Sequence, residues 1–146
     1  MPEYCEASAQ YVLDFIGCLV HAKNEWAGKP FTLLDWQIEP LQKFYGTMIE
    51  DEDGRLVRQY QYFYEEIPKK NGKSELASAL GLYHLVADGE STPEVYICAA
   101  DRENADIIYK ACVYMIEHSA TLSRRLRLVE SQRKIHDDST GGILKV

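Results

Sequence analysis

The feature that most constrains the fold of this chain is a Gly-Lys-Ser tripeptide at residues 72–74. It follows the run "VRQYQYFYEEI", whose aromatic and β-branched residues predict a strand ending at about Ile67. It opens the run "KSELASALGLYHLVADG", whose apolar spacing predicts a helix from Lys73 that stops at Gly89. A loop between a strand and a helix presents the amides of the first helical turn, which attract anions. The tripeptide therefore predicts a phosphate-binding loop, although a helix start can also contain these three residues by chance.

The front of this loop departs from the common pattern G-x-x-x-x-G-K-[ST]. Position 67 is isoleucine instead of glycine, and Pro68 removes one amide donor and holds Ile67 extended. Fewer amides can then surround a phosphate. Lys69 and Lys70 are expected to supply positive charge in their place.

The pattern also assigns roles to its last two residues. Lys73 is a compact charge that would reach the β- and γ-phosphates of a nucleotide. The hydroxyl of Ser74 would be a ligand of Mg²⁺. These two residues are therefore the first candidates for nucleotide and metal contacts.

The N-terminal part of the chain is mainly helical in pattern. One amphipathic helix is predicted from Tyr4 to about Lys23, and a second from about Asp35 to Ile49, with Asp35 as its N-cap. The stretch "EDEDGRL" then predicts an acidic turn around Gly54.

Strands and helices alternate after the loop. "PEVYICAA" predicts a buried parallel strand, and "DRENADIIYKACVYMIEHS" predicts a helix capped by Asp101. "LRLVESQRKIHDDSTGGILKV" predicts a strand, a turn near Gly141 and the beginning of another strand. This order predicts an α/β fold in which helices flank a parallel sheet, preceded by an N-terminal helical segment.

Composition narrows the classes of function. A net charge of −7 disfavours nonspecific coating of nucleic acid, and no apolar run is long enough to span a membrane. The N-terminus lacks the basic region of a signal peptide. The cysteines are widely spaced and predict reduced thiols instead of a metal cluster or a disulfide framework; they are Cys5, Cys18, Cys98 and Cys112.

One part of this acidic chain is locally basic. Between residues 123 and 146, six basic residues stand against three acidic ones. The basic residues are Arg124, Arg125, Arg127, Arg133, Lys134 and Lys145. They form either a solvated face or a contact surface for a charged partner.

Three stretches resemble one protein family. "EIPKKNGKS" resembles the variant Walker A loop of phage terminase large subunits, P-[RK]-[KG]-N-G-K-[ST], which lacks the first glycine. "PFTLLDWQIEPLQKFYG" resembles the upstream segment of that family, in which a glutamine contacts adenine, here Gln37. "VYICAADRENADIIYKACVYMI" resembles the strand and helix after the loop, with Arg102 and Ala105 at the matching positions. The resemblance covers roughly residues 10 to 146.

The resemblance implies a P-loop NTPase-type fold that binds ATP with Mg²⁺. It implies an N-terminal helical segment with the adenine-motif-like stretch at residues 1–50 and the first part of the ATPase core at residues 51–146, within one domain overall. The implied nucleotide-binding residues are Gln37, Pro68, Lys69, Lys70, Asn71, Gly72, Lys73 and Ser74. Lys73 and Lys69 would be catalytic, because Lys69 takes the place of an arginine that senses the γ-phosphate. Lysine lacks the bidentate fork of arginine, which leaves the role of Lys69 open.

The resemblance also implies partners and a location. The family packages double-stranded viral DNA with a portal protein and a small terminase subunit, as an oligomer, in the cytoplasm of a bacterial host and without a membrane. The candidate contacts with DNA or a neighbouring subunit are Arg124, Arg125, Arg127, Arg133 and Lys134.

Some residues that this chemistry needs are absent from the sequence. ATP hydrolysis in the family uses an Asp-Glu pair at the end of a later apolar strand, and no such pair follows residue 74. Asp101 is the nearest imitation, but it suits a helix cap better. The nuclease part is absent too. We therefore expect the N-terminal part of an ATPase domain, from a shortened prophage gene, a split protein or a piece cut from a longer one.

We expect this part alone to bind ATP weakly and to hydrolyse it negligibly. The alternatives are a fragment of a helicase-like P-loop ATPase, or a non-catalytic remnant of a decayed prophage.

Overall fold

The computed structural model describes residues 1–146 and divides them into two units. One unit contains Met1–Cys18 and Thr32–Pro68, and the other contains Leu19–Phe31 and Lys69–Val146. The division differs from a cut at residue 50, because residues 19–31 belong with the C-terminal part and residues 51–68 stay with the N-terminal part. We call these the first and the second unit.

The first unit pairs two helices with a small antiparallel sheet. Its elements are β1 (Glu3–Tyr4), α1 (Glu6–Gly17), α2 (Asp35–Gly46), β2 (Thr47–Glu50) and β3 (Leu56–Arg58), with the strand order β1-β2-β3. The apolar spacing that predicted the helices supplies their buried faces, which include Val12, Ile16, Leu41 and Tyr45. Both predicted helices are confirmed, each shorter than expected.

The early end of α2 and its N-cap differ from the sequence-based expectation. Residues 47–50 form β2 because they pair with β1 and β3, and this pairing overrides the helical pattern up to Ile49. The N-cap is Leu34, and Asp35 is already helical. The amide of Leu34 donates to Oε1 of Gln37 at 2.9 Å, so Gln37 does the capping that Asp35 was expected to do.

No regular strand leads directly into the Gly-Lys-Ser loop, and the prediction that a strand ends at about Ile67 is therefore wrong. Strand β3 stops at Arg58, and residues 59–68 lie outside both sheets. Tyr62 and Tyr64 are 90% and 87% exposed. Strand propensity needs a partner strand for the backbone and a surface for the side chains. These residues are not part of a strand ladder, and the β-favouring run therefore remains irregular.

The second unit places helices against a four-stranded sheet. Its elements are α3 (Lys73–Val86), β4 (Glu94–Tyr96), α4 (Arg102–Glu117), α5 (Ala120–Arg125), β5 (Leu126–Val129), β6 (Lys134–Asp137) and β7 (Gly142–Lys145). The strand order is β4-β7-β6-β5, with β4 and β7 parallel and the other pairs antiparallel. The α/β class is confirmed, but the sheet is mixed instead of wholly parallel. Strands β5, β6 and β7 follow one another through short turns, which favour antiparallel neighbours.

Helix α3 lies close to this sheet at Gly81. A Cβ atom at this position would lie 2.8 Å from Cδ1 of Ile97 and 3.0 Å from Cδ1 of Leu144. Around it, the buried core of the second unit contains Leu82, Leu85, Ile108, Met115, Ile135 and Leu144. The core thus fixes α3, whose first turn carries the candidate site. No helix in the structure is long and apolar enough to cross a membrane.

Candidate nucleotide-binding loop

The Gly-Lys-Ser loop reaches its helix through two left-handed residues. Lys70 has φ 67° and Gly72 has φ 76°, and α3 begins at Lys73. A left-handed backbone is natural for glycine and costs energy for lysine. We call residues 67–74 the phosphate loop. Its local course turns the chain abruptly into the helix, which begins at Lys73 as predicted.

The polar groups of the phosphate loop face outward. Lys69, Lys70, Asn71 and Lys73 are exposed, and Ser74 is half-buried at the second position of α3. The amides of a first helical turn have no carbonyl partner within the helix, and the helix dipole makes them attractive to anions. Lysines and amides together therefore offer positive potential to a phosphate group at this end of α3.

Ser78 fixes the first turn of α3 from within the core. Its Oγ donates to the carbonyl of Ser74 at 2.7 Å and lies 3.1 Å from the carbonyl of Ile108 in α4. The thiol of Cys112 contacts the carbonyl of Ser78 at 3.8 Å, and burial raises the pKa of that thiol to about 12. Ser78 was not singled out from the sequence. Its only signal was a serine inside an otherwise apolar helical face.

A hairpin from much earlier in the chain fixes the same turn from outside. Residues 19–31 fold back on themselves through an antiparallel bridge between Val20 and Pro30 and a hydrogen bond from the Phe31 amide to the Leu19 carbonyl. Leu19 and Phe31 are buried. We call this segment the docked hairpin. Neither its place in the second unit nor its polar contacts were predicted.

Glu75 joins the docked hairpin to α3. The amide of Ala22 donates to Oε1 of Glu75 at 2.7 Å, and Nδ1 of His21 lies 3.1 Å from Oε2. The His21 ring stacks on Phe31 with 4.4 Å between centroids. Glu75 directly follows Ser74, so this contact holds the turn that carries both Lys73 and Ser74.

Gln37 lies in the first unit and is 5% exposed. Its Oε1 accepts the Leu34 amide, as described above. A carboxamide oxygen has two lone pairs, so this hydrogen bond leaves one acceptor site, and the NH₂ group can still donate. Gln37 thus keeps one acceptor site and its NH₂ donors for a further polar partner.

Asp101 acts as a helix cap. Its Oδ1 accepts from the amide of Asn104 at 2.8 Å, and its Oδ2 accepts from the side chain of the same residue at 2.9 Å. The prediction that Asp101 caps this helix is confirmed. No group of three His, Cys, Asp or Glu residues in the structure is arranged to hold a metal ion.

Three of the five candidate DNA-contact residues are paired within the chain. Arg125 donates twice to Asp137, with distances of 2.9 and 2.6 Å, and Arg127 donates twice to Asp138 at 3.0 Å. Arg133 pairs with Asp106. These carboxylates offset the positive charge locally. Arg124 and Lys134 form no ion pair, and Nε of Arg124 donates to the Ala120 carbonyl.

A cleft of about 360 Å³ lies at the other end of α3. Its lining includes Asp88, Glu90 and Glu94, and Asp88 pairs with His84 at 2.7 Å. Three carboxylates repel a triphosphate. The phosphate loop, an open and basic surface, is therefore the better nucleotide candidate.

Comparison with known proteins identifies the family. The family model described as "Terminase large subunit, ATPase domain" matches residues 40–146. The structure is similar to the crystal structure of the HK97 bacteriophage large terminase, with a TM-score of 0.76 and 22% sequence identity. The similarity covers 94% of this chain and 26% of the HK97 chain, so the present chain spans about a quarter of that protein. No curated protein matches the sequence.

The HK97 similarity supports the fold, and the family model covers well over half of the chain, including the phosphate loop. Neither comparison supports the helicase-like alternative or the decayed remnant. The chain belongs to the family of terminase large subunit ATPase domains.

Proposed function

We propose that this chain is the ATP-binding part of a phage or prophage terminase large subunit and binds ATP·Mg²⁺ at the phosphate loop. The observation that carries the proposal is the phosphate loop itself. Left-handed Lys70 and Gly72 lead into a buried-core helix whose first turn displays Lys73 and Ser74. Anion binding at such a helix start follows from the amides and the dipole together.

Each residue of the loop has a role in this proposal. Lys73 contacts the β- and γ-phosphates, and the Ser74 hydroxyl is one ligand of Mg²⁺. Lys69 lies at the γ-phosphate as a point charge, and Lys70 adds charge beside it. Pro68, Asn71 and Gly72 shape the backbone, with the Asn71 side chain 3.4 Å from the Lys69 carbonyl.

Gln37 is proposed to contact the adenine base with its carboxamide. Its remaining acceptor site and its NH₂ group match the donor and acceptor of the adenine edge. Replacing Gln37 would then reduce the preference for ATP over GTP.

The oxygen ligands of the phosphate loop can hold Mg²⁺ only when a bound nucleotide supplies further ligands. Ser74 offers one hydroxyl, while Mg²⁺ takes octahedral oxygen ligands and commonly keeps waters and phosphate oxygens. The ion is therefore expected to arrive with ATP and to neutralise charge on its phosphates. Hydrolysis needs a further carboxylate to orient water. No Asp-Glu pair follows residue 74 and Pro68 removes one amide from the loop, so we expect this chain alone to turn ATP over negligibly.

DNA packaging is proposed for the longer terminase large subunit that contains such a domain. Its partners would be viral double-stranded DNA, the portal protein and the small terminase subunit, in the cytoplasm of the bacterial host and in an oligomeric motor. Within this chain, Arg124 and Lys134 are the stronger candidates for contacts with DNA or a neighbouring subunit, because Arg125, Arg127 and Arg133 already have carboxylate partners.

Thermal unfolding with a non-hydrolysable ATP analogue and Mg²⁺ tests the proposal. At an analogue concentration of 100 times Kd, binding should stabilise the wild type by about 2.7 kcal/mol. Lys73→Ala should abolish most of this gain, because the phosphates lose their main charge contact. Lys110→Ala, at an exposed position of α4, is the matched control and should retain the gain. Equal stabilisation of wild type and Lys73→Ala, or none in the wild type, would refute nucleotide binding at this loop.

A further inference from the structure

The carboxylate of Glu75 is wholly committed to the docked hairpin. Each of its oxygens meets a different residue, the Ala22 amide at 2.7 Å and His21 Nδ1 at 3.1 Å. The side chains of His21 and Glu75 are 16% and 13% exposed. Water and salt therefore screen this contact less than they would a surface pair.

The partner of Glu75 is a well-defined surface. The docked hairpin is held by its own backbone bonds, including His21 amide to Lys29 carbonyl at 2.9 Å and Gly28 amide to His21 carbonyl at 2.8 Å. Its ends, Leu19 and Phe31, are buried, and the hairpin belongs to the second unit. The polar contact at Glu75 adds to these contacts of the hairpin, and it lies at the turn that carries Lys73 and Ser74.

We propose that Glu75 is a positioning residue that clamps the first turn of α3 to the docked hairpin and so holds Lys73 and Ser74 ready for a nucleoside triphosphate with its Mg²⁺. The inference rests on the proposed function and deepens it. Backbone amides, the lysine and the hydroxyl must converge on the same phosphates, and small displacements of such groups are costly. Ser78 anchors this turn to α4 on the core side, and Glu75 anchors it on the outer side.

If Glu75 positions the loop, removing its carboxylate weakens nucleotide binding, whereas electrostatics alone predicts tighter binding. Its negative charge lies beside the residues that would bind a triphosphate and repels it. If charge decided, replacing Glu75 by a neutral residue would tighten binding. If positioning decides, the replacement weakens binding despite the more favourable charge. The sign of the change in Kd therefore separates the two effects.

The test is the Kd for Mg²⁺ with a non-hydrolysable ATP analogue, measured by titration calorimetry at a temperature where all variants are folded. Glu75→Ala should raise Kd about 5- to 10-fold, since misplaced binding groups commonly cost an order of magnitude. Glu75→Gln keeps an acceptor for the Ala22 amide and should give a smaller rise. Glu103→Ala is the matched control, because Glu103 is an exposed acid in the first turn of α4, and it should leave Kd within about twofold.

Two results would overturn the inference while the proposed function stands. One is a Kd for Glu75→Ala equal to or below that of the wild type. The other is a Glu75→Ala variant whose melting temperature in the absence of nucleotide is lowered while its Kd is unchanged, which would show a structural role only. If the wild type does not bind, or binds no better than Lys73→Ala, the proposed function fails and the inference with it.

Discussion

At the scale of single residues, Lys70 has a left-handed backbone that the sequence of the phosphate loop does not predict. Gly72 could be assigned a special backbone from its type, and its φ of 76° agrees. Lysine gives no such signal, yet Lys70 has φ 67°. A left-handed residue other than glycine persists only where its surroundings hold it, often at functional sites. Exposed Lys70 keeps this strain while offering its charge beside the loop.

Replacing Lys70 by glycine should relieve that strain. Lys70→Gly is expected to raise the free energy of unfolding by up to about 1 kcal/mol, because the left-handed penalty exceeds the added entropy of the unfolded chain. Lys69→Gly, at a neighbouring residue without positive φ, should lower it by about 0.5–1 kcal/mol. Urea unfolding of both variants measures the difference. Equal destabilisation by both would show that Lys70 is not strained.

At the scale of elements, an ion pair joins α5 to β6. Arg125 at the end of α5 donates twice to the fully buried Asp137, which also accepts from the amide and hydroxyl of Ser139. Burial alone would raise the pKa of Asp137, but the hydrogen bonds from Arg125 and Ser139 outweigh it and lower the pKa to about 2. The sequence suggested Arg125 as a DNA contact, because a one-dimensional charge count does not show which arginine has a carboxylate partner.

Asp137 should make stability depend on pH in the acid range. Its pKa falls from an ordinary value of 3.8 to about 2 on folding, so its contribution is present above pH 4 and is lost as the pH falls toward 2. The shift corresponds to about 2 kcal/mol. Asp137→Asn should lower the free energy of unfolding at pH 7 by about 2–4 kcal/mol and reduce its slope between pH 4 and 2.

The neighbouring acid provides the control for this effect. Asp138 forms an exposed pair with Arg127, so Asp138→Asn should change the free energy of unfolding by less than about 1 kcal/mol. Urea unfolding at a series of pH values compares the two variants. An unchanged acid slope in Asp137→Asn would refute the assignment.

At the scale of the whole molecule, two chain segments at the boundaries of the units differ in how much hydrogen bonding and burial hold them. The docked hairpin is bound by hydrogen bonds and buried side chains. Residues 59–68 lie outside both sheets, and Tyr62 and Tyr64 within them are exposed. A backbone outside regular structure, with exposed side chains, opens at little cost in free energy. Residues 59–68 should therefore be the weak point of the molecule.

Limited digestion with chymotrypsin tests this weak point. The first cuts should fall after Tyr62, Phe63 or Tyr64, because a protease needs an extended and accessible backbone. Tyr11 is 53% exposed but lies in α1, so it should resist and serves as the internal control. Replacing Tyr62 and Tyr64 by serine should slow the first cut. Earlier cleavage at Tyr11 would contradict the assignment, and mass spectrometry of the fragments decides.

The sequence by itself determined the features encoded by residues close together in the chain. The Gly-Lys-Ser loop, the helix after it, the Asp101 cap and the α/β class all follow from periodicity and residue type within a few positions. The family was inferred from a resemblance instead, which was readable because the residues that distinguish the variant loop, Ile67 to Ser74, are contiguous.

Only the tertiary structure decided the pairings between distant residues. His21 and Glu75 are 54 positions apart, and Arg125 and Asp137 are 12 apart. Strand partners likewise determined that the sheet is mixed and that residues 59–68 lie outside it. The physical reason is that a charge or a β-favouring run specifies what a residue can bind, whereas packing of the whole chain specifies what lies within reach.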